Sequence, residues 1–302
     1  MDNLKGKTAF ITGGASGIGL GIAKACAREG MNVVIVDLRR DAIDEALVVF
    51  KNNNWPAIGV ELDVTDREAY PKAAEEAEAA FGNIHLLVNN AGISCTSGKL
   101  WDLTHKQTDL GINVNITAVL NGIQEILPRM LKHGEEGHIV STASKAAILP
   151  CPNSALYNVT KMAVLGIMEQ LATDLAGTNI GASAFCPGGY ATNLGQSSSV
   201  VTEKHLGEAP APRQQRSAQA AADFNEVIGS ADEAGERVVR GVKRGDVFIL
   251  THSEFKKGVE ARVNAILRAF PDEIPNPRYS EVFPFLTYNR IYDKQTQVPA
   301  LK

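Results

Sequence analysis

Tyr157 and Lys161 stand four residues apart in the stretch LYNVTK, so on a helix they share one face, where an ammonium can act on a phenol. A free tyrosine ionises near pH ~10 and is a poor base at neutral pH, but an adjacent cation stabilises its phenolate and brings proton exchange within reach. The same stretch has a second reading. Asn158-Val159-Thr160 fits the acceptor pattern for N-glycosylation, as does the segment beginning at Asn115, which would place both on the surface of a secreted protein. Taken alone, a Tyr and a Lys at this spacing can also be an ordinary solvated pair.

A second group of residues suits phosphate. After an apolar run comes TGGASGIG, Thr12 to Gly19, opening a helical stretch. Gly13, Gly17 and Gly19, with Ser16 and Ile18 between them, allow a tight turn and a close approach of backbone to a pyrophosphate, and a helix N-terminus adds N–H groups and positive potential. The spacing is GxxxGxG rather than GxGxxG, and a glycine-rich turn alone can be purely structural. Asp37 closes the next apolar run, VVIVD, at about the distance where a carboxylate accepts from ribose hydroxyls and repels a 2′-phosphate. Arg39 and Arg40 complicate that reading as two cations near such a phosphate, although solvated charges opening a helix explain them as well. Asp63 and Val64 in LDV could meet an adenine edge, or Asp63 could cap the following helix.

The elements that must position these groups alternate. Short β-branched runs at 8–12, 32–37, 57–62, 84–88, 138–142, 180–185 and 247–250 are separated by longer helical stretches. That order predicts right-handed crossovers and a doubly wound α/β fold, a parallel sheet of about seven strands covered on both faces. Between 193 and 230 the pattern lapses into a Ser-, Pro-, Gln- and Ala-rich stretch, expected to be a mobile substrate lid without strands. Beyond 250, Phe255, Val259, Val263, Ile266, Leu267 and Phe270 form one stripe of an amphipathic helix that Pro271 ends. The tail then carries Tyr279, Phe283, Phe285, Tyr288 and Tyr292, an aromatic set expected to pack on its own subunit or on a partner. The expected organisation is one doubly wound domain over 1–250, lid included, with an extension over 251–302.

Composition narrows the partners. The 302 residues have 44% hydrophobic and 21% charged residues and a net charge of −4, which gives no bias toward nucleic acid or acidic membranes and leaves small molecules or further copies of the chain. Four dispersed cysteines without a CxxC pair and six histidines without HExxH spacing suggest neither a disulfide framework nor a zinc site. The opening residues carry too short an apolar run for a signal peptide. The expected location is therefore the cytoplasm, which removes the sequons from glycosylation and turns the LYNVTK question toward chemistry.

Six segments then fall in one order and spacing: TGGASGIG, NNAG (Asn89 to Gly92), VN (Val114-Asn115), STAS ending in Ser144, YNVTK, and PGGYAT (Pro187 to Thr192). In these the chain resembles the short-chain dehydrogenase/reductase family, closely over about residues 5 to 192 and more loosely to 250. The resemblance implies a catalytic tetrad of Asn115, Ser144, Tyr157 and Lys161. In it Ser144 orients the substrate oxygen, Lys161 also holds the nicotinamide ribose, and Asn115 fixes a proton-relaying water. It implies further cofactor contacts from Asn90, Ala91 and Gly92 beside the adenosine, and from Pro187, Gly188, Tyr190 and Thr192 on the nicotinamide side. A homodimer or homotetramer is also implied.

Two departures stand out: Ala118 where relatives often have Gly, and Lys145-Ala146-Ala147 after Ser144. Lys145 could meet an acidic substrate or simply solvent. NAD is the expected cofactor over NADP because of Asp37. The extension loosely resembles that of bacterial aryl secondary-alcohol dehydrogenases, including those acting on benzylic alcohols of lignin-derived ethers. The expected substrate is therefore a bulky aromatic or alicyclic secondary alcohol. The alternatives are an NADPH-dependent carbonyl or 3-oxoacyl reductase and, from another class, a cofactor-sensing protein without turnover.

Overall fold

Seven strands, β1 (Thr8–Thr12), β2 (Asn32–Asp37), β3 (Ala57–Glu61), β4 (Ile84–Asn89), β5 (Gly137–Thr142), β6 (Ile180–Cys186) and β7 (Phe248–Leu250), form the sheet. Each apolar run predicted from the sequence becomes a strand, with bounds moved by a residue or so. In the computed structural model, which describes residues 1–207, 223 and 226–297, the strands pair in the order β3-β2-β1-β4-β5-β6-β7, and every pairing is parallel. The chain therefore winds outward in one direction from β1 and then in the other from β4. Above the carboxyl ends of these two neighbouring strands a crevice opens, the place where a doubly wound sheet accepts ligands.

The period of two along each strand sorts side chains into two cores. On one face Ala9, Ile11, Val33, Ile35 and Phe185 pack against α1 (Gly17–Arg28), α2 (Arg40–Asn52) and a later helix, Ala231–Arg244. On the other face Phe10, Val34, Val36, Leu87 and Ile139 pack against α3 (Tyr70–Phe81) and two long helices. The first of these, α5 (Ala118–His133), continues α4 (His105–Ile112) through a wider π-type turn at Asn113–Thr117. The second is α7 (Ala155–Asp174), which follows a single turn, α6 (Lys145–Ile148).

The stretch expected to be an unpatterned lid is partly a helix, α8 (Leu194–Leu206). Its Ser- and Gln-rich sequence hides it, because tertiary contact supplies its support: Val201 and Leu206 pack beside the cluster of Ile93, Leu110 and Val114. Residues 208–222 and 224–225 of the expected lid lie outside the described residues. The later helix Ala231–Arg244 is α9, and α10 (Lys256–Arg268) forms where the amphipathic stripe predicts a helix. That stripe is not buried, however: Val263, Ile266, Leu267 and Phe270 are all exposed. No helix among the described residues is long and apolar enough to cross a membrane.

Helices α1 and α9 touch backbone to backbone. A Cβ on Gly21 would overlap the Ala231 carbonyl oxygen, and one on Gly235 would overlap that of Gly21. Lys24 and Arg28 on α1 reach Asp232 at 2.7 and 3.1 Å, holding the contact from the side. Because α1 also opens the glycine turn, this contact fixes the floor of the crevice. Gly235→Val is expected to lower the unfolding free energy by about 2 kcal/mol, the scale of overpacking in a dense core. Denaturant titration checks this, and a wild-type midpoint would mean that the two helices can part without cost.

Candidate active site

One cleft of about 300 Å³ runs over the carboxyl ends of the strands, from Asp37 at one end to Ser144, Tyr157 and Lys161 at the other. Gly13, Ser16, Gly17 and Ile18 form its floor, Asp63 and Val64 one shoulder, Asn90, Ala91 and Gly92 its back, and Pro187, Gly188, Tyr190 and Thr192 the far wall. Two residues expected there do not line it. A Cβ on Gly19 would overlap the Gly13 carbonyl oxygen and lie 2.6 Å from Asn90 Nδ2. Gly19 thus lets the first turn of α1 close onto the loop and is not itself a wall. Asn115 is 1% exposed and sits behind the wall.

The turn itself has the backbone that its glycines predict. Gly13 and Gly17 have φ of +61° and +52°, a region that residues with a side chain rarely adopt. A Cβ on Gly13 would lie 3.0 Å from Ala91 Cα. The N-terminus of α1 has no side-chain cap hydrogen bond, so the first N–H groups of the helix stay available to an anion at the cleft floor. Thr12 ties this turn to the next strand: its Oγ1 accepts from the N–H groups of Asn90 and Ala91 at 3.0 and 3.1 Å. Asn90 Nδ2 donates back to the carbonyls of Thr12 and Gly13 at 3.1 and 3.2 Å.

At the adenosine-like end, Asp37 accepts from the N–H groups of Ala15 and Arg39 at 3.3 and 3.2 Å. Burial raises its pKa, opposed by those backbone hydrogen bonds. Arg40 turns away and forks onto Asp44 through Nε and Nη2 at 3.0 and 2.7 Å. Asp63 combines the cap-like role with one that the sequence did not suggest. Its Oδ1 accepts from Thr65 N–H and Oγ1 at 3.1 and 2.7 Å. Its Oδ2 meets Lys204 Nζ at 2.7 Å and His205 Nε2 at 3.2 Å, both from α8. Burial would raise the pKa of Asp63, but hydrogen bonds from Lys204 and Thr65 pull it down to about 2. Helix α8 thereby spans the cleft as a roof, fastened near its middle where the Ser94 N–H donates to Ser198 Oγ at 2.9 Å.

At the other end, α7 carries Tyr157 and Lys161 on the face that their spacing predicts. Lys161 is 5% exposed. Its Nζ donates to the carbonyl of Thr142, the last residue of β5, at 2.8 Å, and sits 5.7 Å from the Tyr157 ring centre. A Cβ on Gly92 would lie in ordinary contact with Nζ, at 3.5 Å, and more tightly against Asn115 Oδ1, at 3.1 Å. Burial lowers the pKa of Lys161 to about 8. Burial raises that of the Tyr157 phenol, while the nearby Ser144 hydroxyl lowers it. Ser144 caps α6, its Oγ accepting from Ala146 N–H at 3.1 Å.

Asn115 is held by protein groups. Its Oδ1 accepts from Ile93 N–H at 2.8 Å, and its Nδ2 donates to the Ile93 carbonyl at 3.0 Å and to Thr160 Oγ1 at 3.1 Å. This is the geometry of a positioning residue: it ties the π-type turn to the loop after β4 and to α7. Lys145 does not line the cleft, and its Nζ lies 5.8 Å from the centre of the Phe255 ring. Neither residue of the LYNVTK sequon is a surface group, because Asn158 and Thr160 are buried. Thr12, Thr142, Lys204 and His205 were not legible as site residues. Thr142 lies inside STAS, the one signal that could have found it.

The profile of the short chain dehydrogenase family matches residues 7–201. A C alpha-dehydrogenase of Sphingobium sp. strain SYK-6 is 31% identical over 268 residues, 88% of this chain and 87% of its own. Among solved structures, a short chain dehydrogenase/reductase from Burkholderia phymatum in complex with NAD is 29% identical. It superposes with a TM-score of 0.76 over 91% of this chain and 99% of that one. A short chain dehydrogenase from Burkholderia cenocepacia in complex with NADP is 30% identical, with a TM-score of 0.67 over 82% and 96%.

Lysine burial makes a prediction of defined sign. The folded pKa of about 8 lies below the ordinary lysine value of 10.5, so between these the unfolded chain binds more protons and stability rises with pH. At pH 7 the buried ammonium costs the fold on the order of 3 kcal/mol. Lys161→Met should therefore stabilise the cofactor-free protein at pH 7 by about 2 kcal/mol, after allowing for the lost bond to Thr142. The gain should shrink as the pH rises and turn, above about pH 10, into a deficit of about 1 kcal/mol, the lost bond alone. Thermal melts across that range test it, and a variant less stable than wild type at every pH would contradict it.

Proposed function

Because the chain belongs to the short chain dehydrogenase family, whose members bind a nicotinamide dinucleotide, we propose that it interconverts a bulky secondary alcohol and its ketone with NAD(H). The single observation that carries this reading is that the Tyr157–Lys161–Ser144 group and the Asp37 carboxylate occupy opposite ends of one cleft. The residues present fit the cofactor: two left-handed glycines and the uncapped start of α1 suit a pyrophosphate, and a carboxylate at the end of β2 suits a ribose diol. Gly13, Gly17 and Ile18 would hold the diphosphate, Asp37 the adenosine ribose, and Lys161 the nicotinamide ribose. When bound, the nicotinamide accepts a hydride from the carbinol carbon or returns one to the carbonyl.

The chain's own residues manage the proton. Ser144 orients the substrate oxygen toward Tyr157 Oη, which takes the hydroxyl proton in oxidation and gives it back in reduction. Burial alone would leave the phenol too weak an acid, so its ionisation needs nearby positive charge. Lys161, held beside the ring by the Thr142 carbonyl, supplies that charge, and a positively charged nicotinamide adds to it. Asn115 keeps α7 and the loop after β4 in register with this group. The cytoplasmic location expected from the sequence suits such chemistry.

NAD is favoured over NADP because Asp37 is fixed by two backbone N–H groups and Arg40 is engaged by Asp44, so a 2′-phosphate would face a carboxylate. For the substrate, the cleft near Tyr157 is walled by Ile93, Val114, Leu194, Val201 and Ile228, which suits an aromatic or alicyclic alcohol. The relative named C alpha-dehydrogenase supports the dehydrogenase reading.

Two variants test the reading. Tyr157→Phe should lower kcat by at least about 10²-fold, the usual weight of a positioned acid–base group, while NADH binding followed by fluorescence stays within a few-fold of wild type. Near-normal turnover in that variant, on a panel of secondary alcohols, would falsify the proton-transfer assignment. Wild type should show the higher kcat/KM with NAD, and Asp37→Ala should narrow the gap by about tenfold or more. A wild type that prefers NADP would show that Arg39 outweighs the carboxylate.

A further inference from the structure

After α10 begins, the chain leaves the body of the protein. Every residue from 260 to 288 is exposed, although the segment is tied down at both ends. At its root, a Cβ on Gly258 would press on Leu149, and Phe255 lies beside His252, ring centres 5.4 Å apart. At its return, Asn289 Nδ2 donates to Thr173 Oγ1 at 2.9 Å, and the Tyr292 ring stacks on Phe248 at 6.3 Å. Gln295 Oε1 accepts from the N–H groups of Val247 and Phe248 at 2.8 and 3.0 Å, so the start of β7 is already capped and is closed to strand pairing.

Between these anchors the segment is apolar where water should be. Eleven large apolar or aromatic residues from Val263 to Tyr288 are 40–98% exposed. With ~200 Å² for a large side chain, they present on the order of 1,000 Å². That exceeds the patches of roughly 300–600 Å² common on monomers and matches the ~800 Å² that each partner contributes to a stable interface.

The same chain carries a receptor for it. Between α7, α9, β7 and the first turns of α10 lies a groove of about 800 Å³ with Met162, Leu165, Leu250 and Val259 in its walls. Arg240 and Arg262 stand in it without an ion-pair partner among the described residues. The outgoing segment has the opposite sign: from Ala269 to Tyr288 it holds Asp272, Glu273 and Glu281 against Arg278 alone, three carboxylates to one guanidinium. A carboxylate-bearing apolar arm is poorly suited to a membrane surface, where such faces carry Lys and Arg.

We propose that residues 269–288 are an exchanged arm that docks in the groove of a second copy of this chain, with Asp272, Glu273 and Glu281 facing Arg240 and Arg262 of the partner subunit. Arm and groove lie on one chain, so a two-fold axis satisfies both at once and closes the assembly as a dimer. The arm root bears on Gly188 through Phe255, so docking also steadies the far wall of the cleft.

Sedimentation at micromolar concentration tests this on the full chain. Wild type should run at twice its 32.3 kDa or a multiple of that. Ile274→Asp with Phe285→Asp alters only side chains that are exposed in the single subunit, so it should keep the circular dichroism of wild type yet run as a monomer. Arg240→Glu with Arg262→Glu, and separately Asp272→Lys with Glu273→Lys, should each weaken association about tenfold or more. An equimolar mixture of those two charge variants should re-associate. A monomeric wild type, an unchanged mass in the aspartate variant, or a mixture that stays apart would each overturn the proposal. So would a monomeric wild type that binds lipid vesicles instead.

Discussion

A lysine ammonium in the interior is the constraint around which the chemical end of the cleft is arranged. An isolated buried cation is costly unless it is hydrogen-bonded, and Lys161 is 5% exposed. The carbonyl at the end of β5 meets it at 2.8 Å. That bond requires β5 to stop at Thr142 and α7 to approach the end of the strand. Parallel pairing of β4 with β5 and of β5 with β6 supplies both conditions by setting where each strand ends.

The other end of the cleft depends on close approach of backbones. Gly13 nears Ala91, Gly19 nears the Gly13 carbonyl, and Gly21 meets Gly235 across two helices. These contacts form a continuous line from the mouth of the cleft to the far side of α1. Close packing of this kind transmits small displacements, so the sheet, α1 and α9 hold the phosphate-binding floor as one body. Thr12 and Asn90 add paired hydrogen bonds across the switch point, where two strands that part company in sequence are adjacent in space.

How much of this was legible can be argued residue by residue. Strands β1, β2, β4, β5 and β6 could be read because each is a short run buried on both faces, and its composition reports that burial directly. Helix α8 could not, since Ser198 and its neighbours have weak helix preference and the support comes from Ile93, Leu110 and Val114, far away in sequence. The stripe on α10 is legible as one apolar face of an amphipathic helix. Its periodicity gives the helix, but periodicity alone does not say what covers it, and among the described residues of one subunit nothing covers Ile266, Leu267 or Phe270.

The same division holds at the site. The sequence by itself determined that Tyr157 and Lys161 share a helix face, that a glycine turn follows β1 and that Asp37 closes β2, because helical period, left-handed backbone and strand end are local properties of a few neighbouring residues. Only the tertiary structure decided that Thr142 holds Lys161, that Gly19 packs and does not line the cleft, and that Asn115 braces a wall. It also decided that Lys204 and His205 close over Asp63 from 141 and 142 residues away. The reason is physical: these outcomes depend on which backbones approach closely after the sheet has assembled, and such long-range contacts leave no periodicity in the chain that makes them.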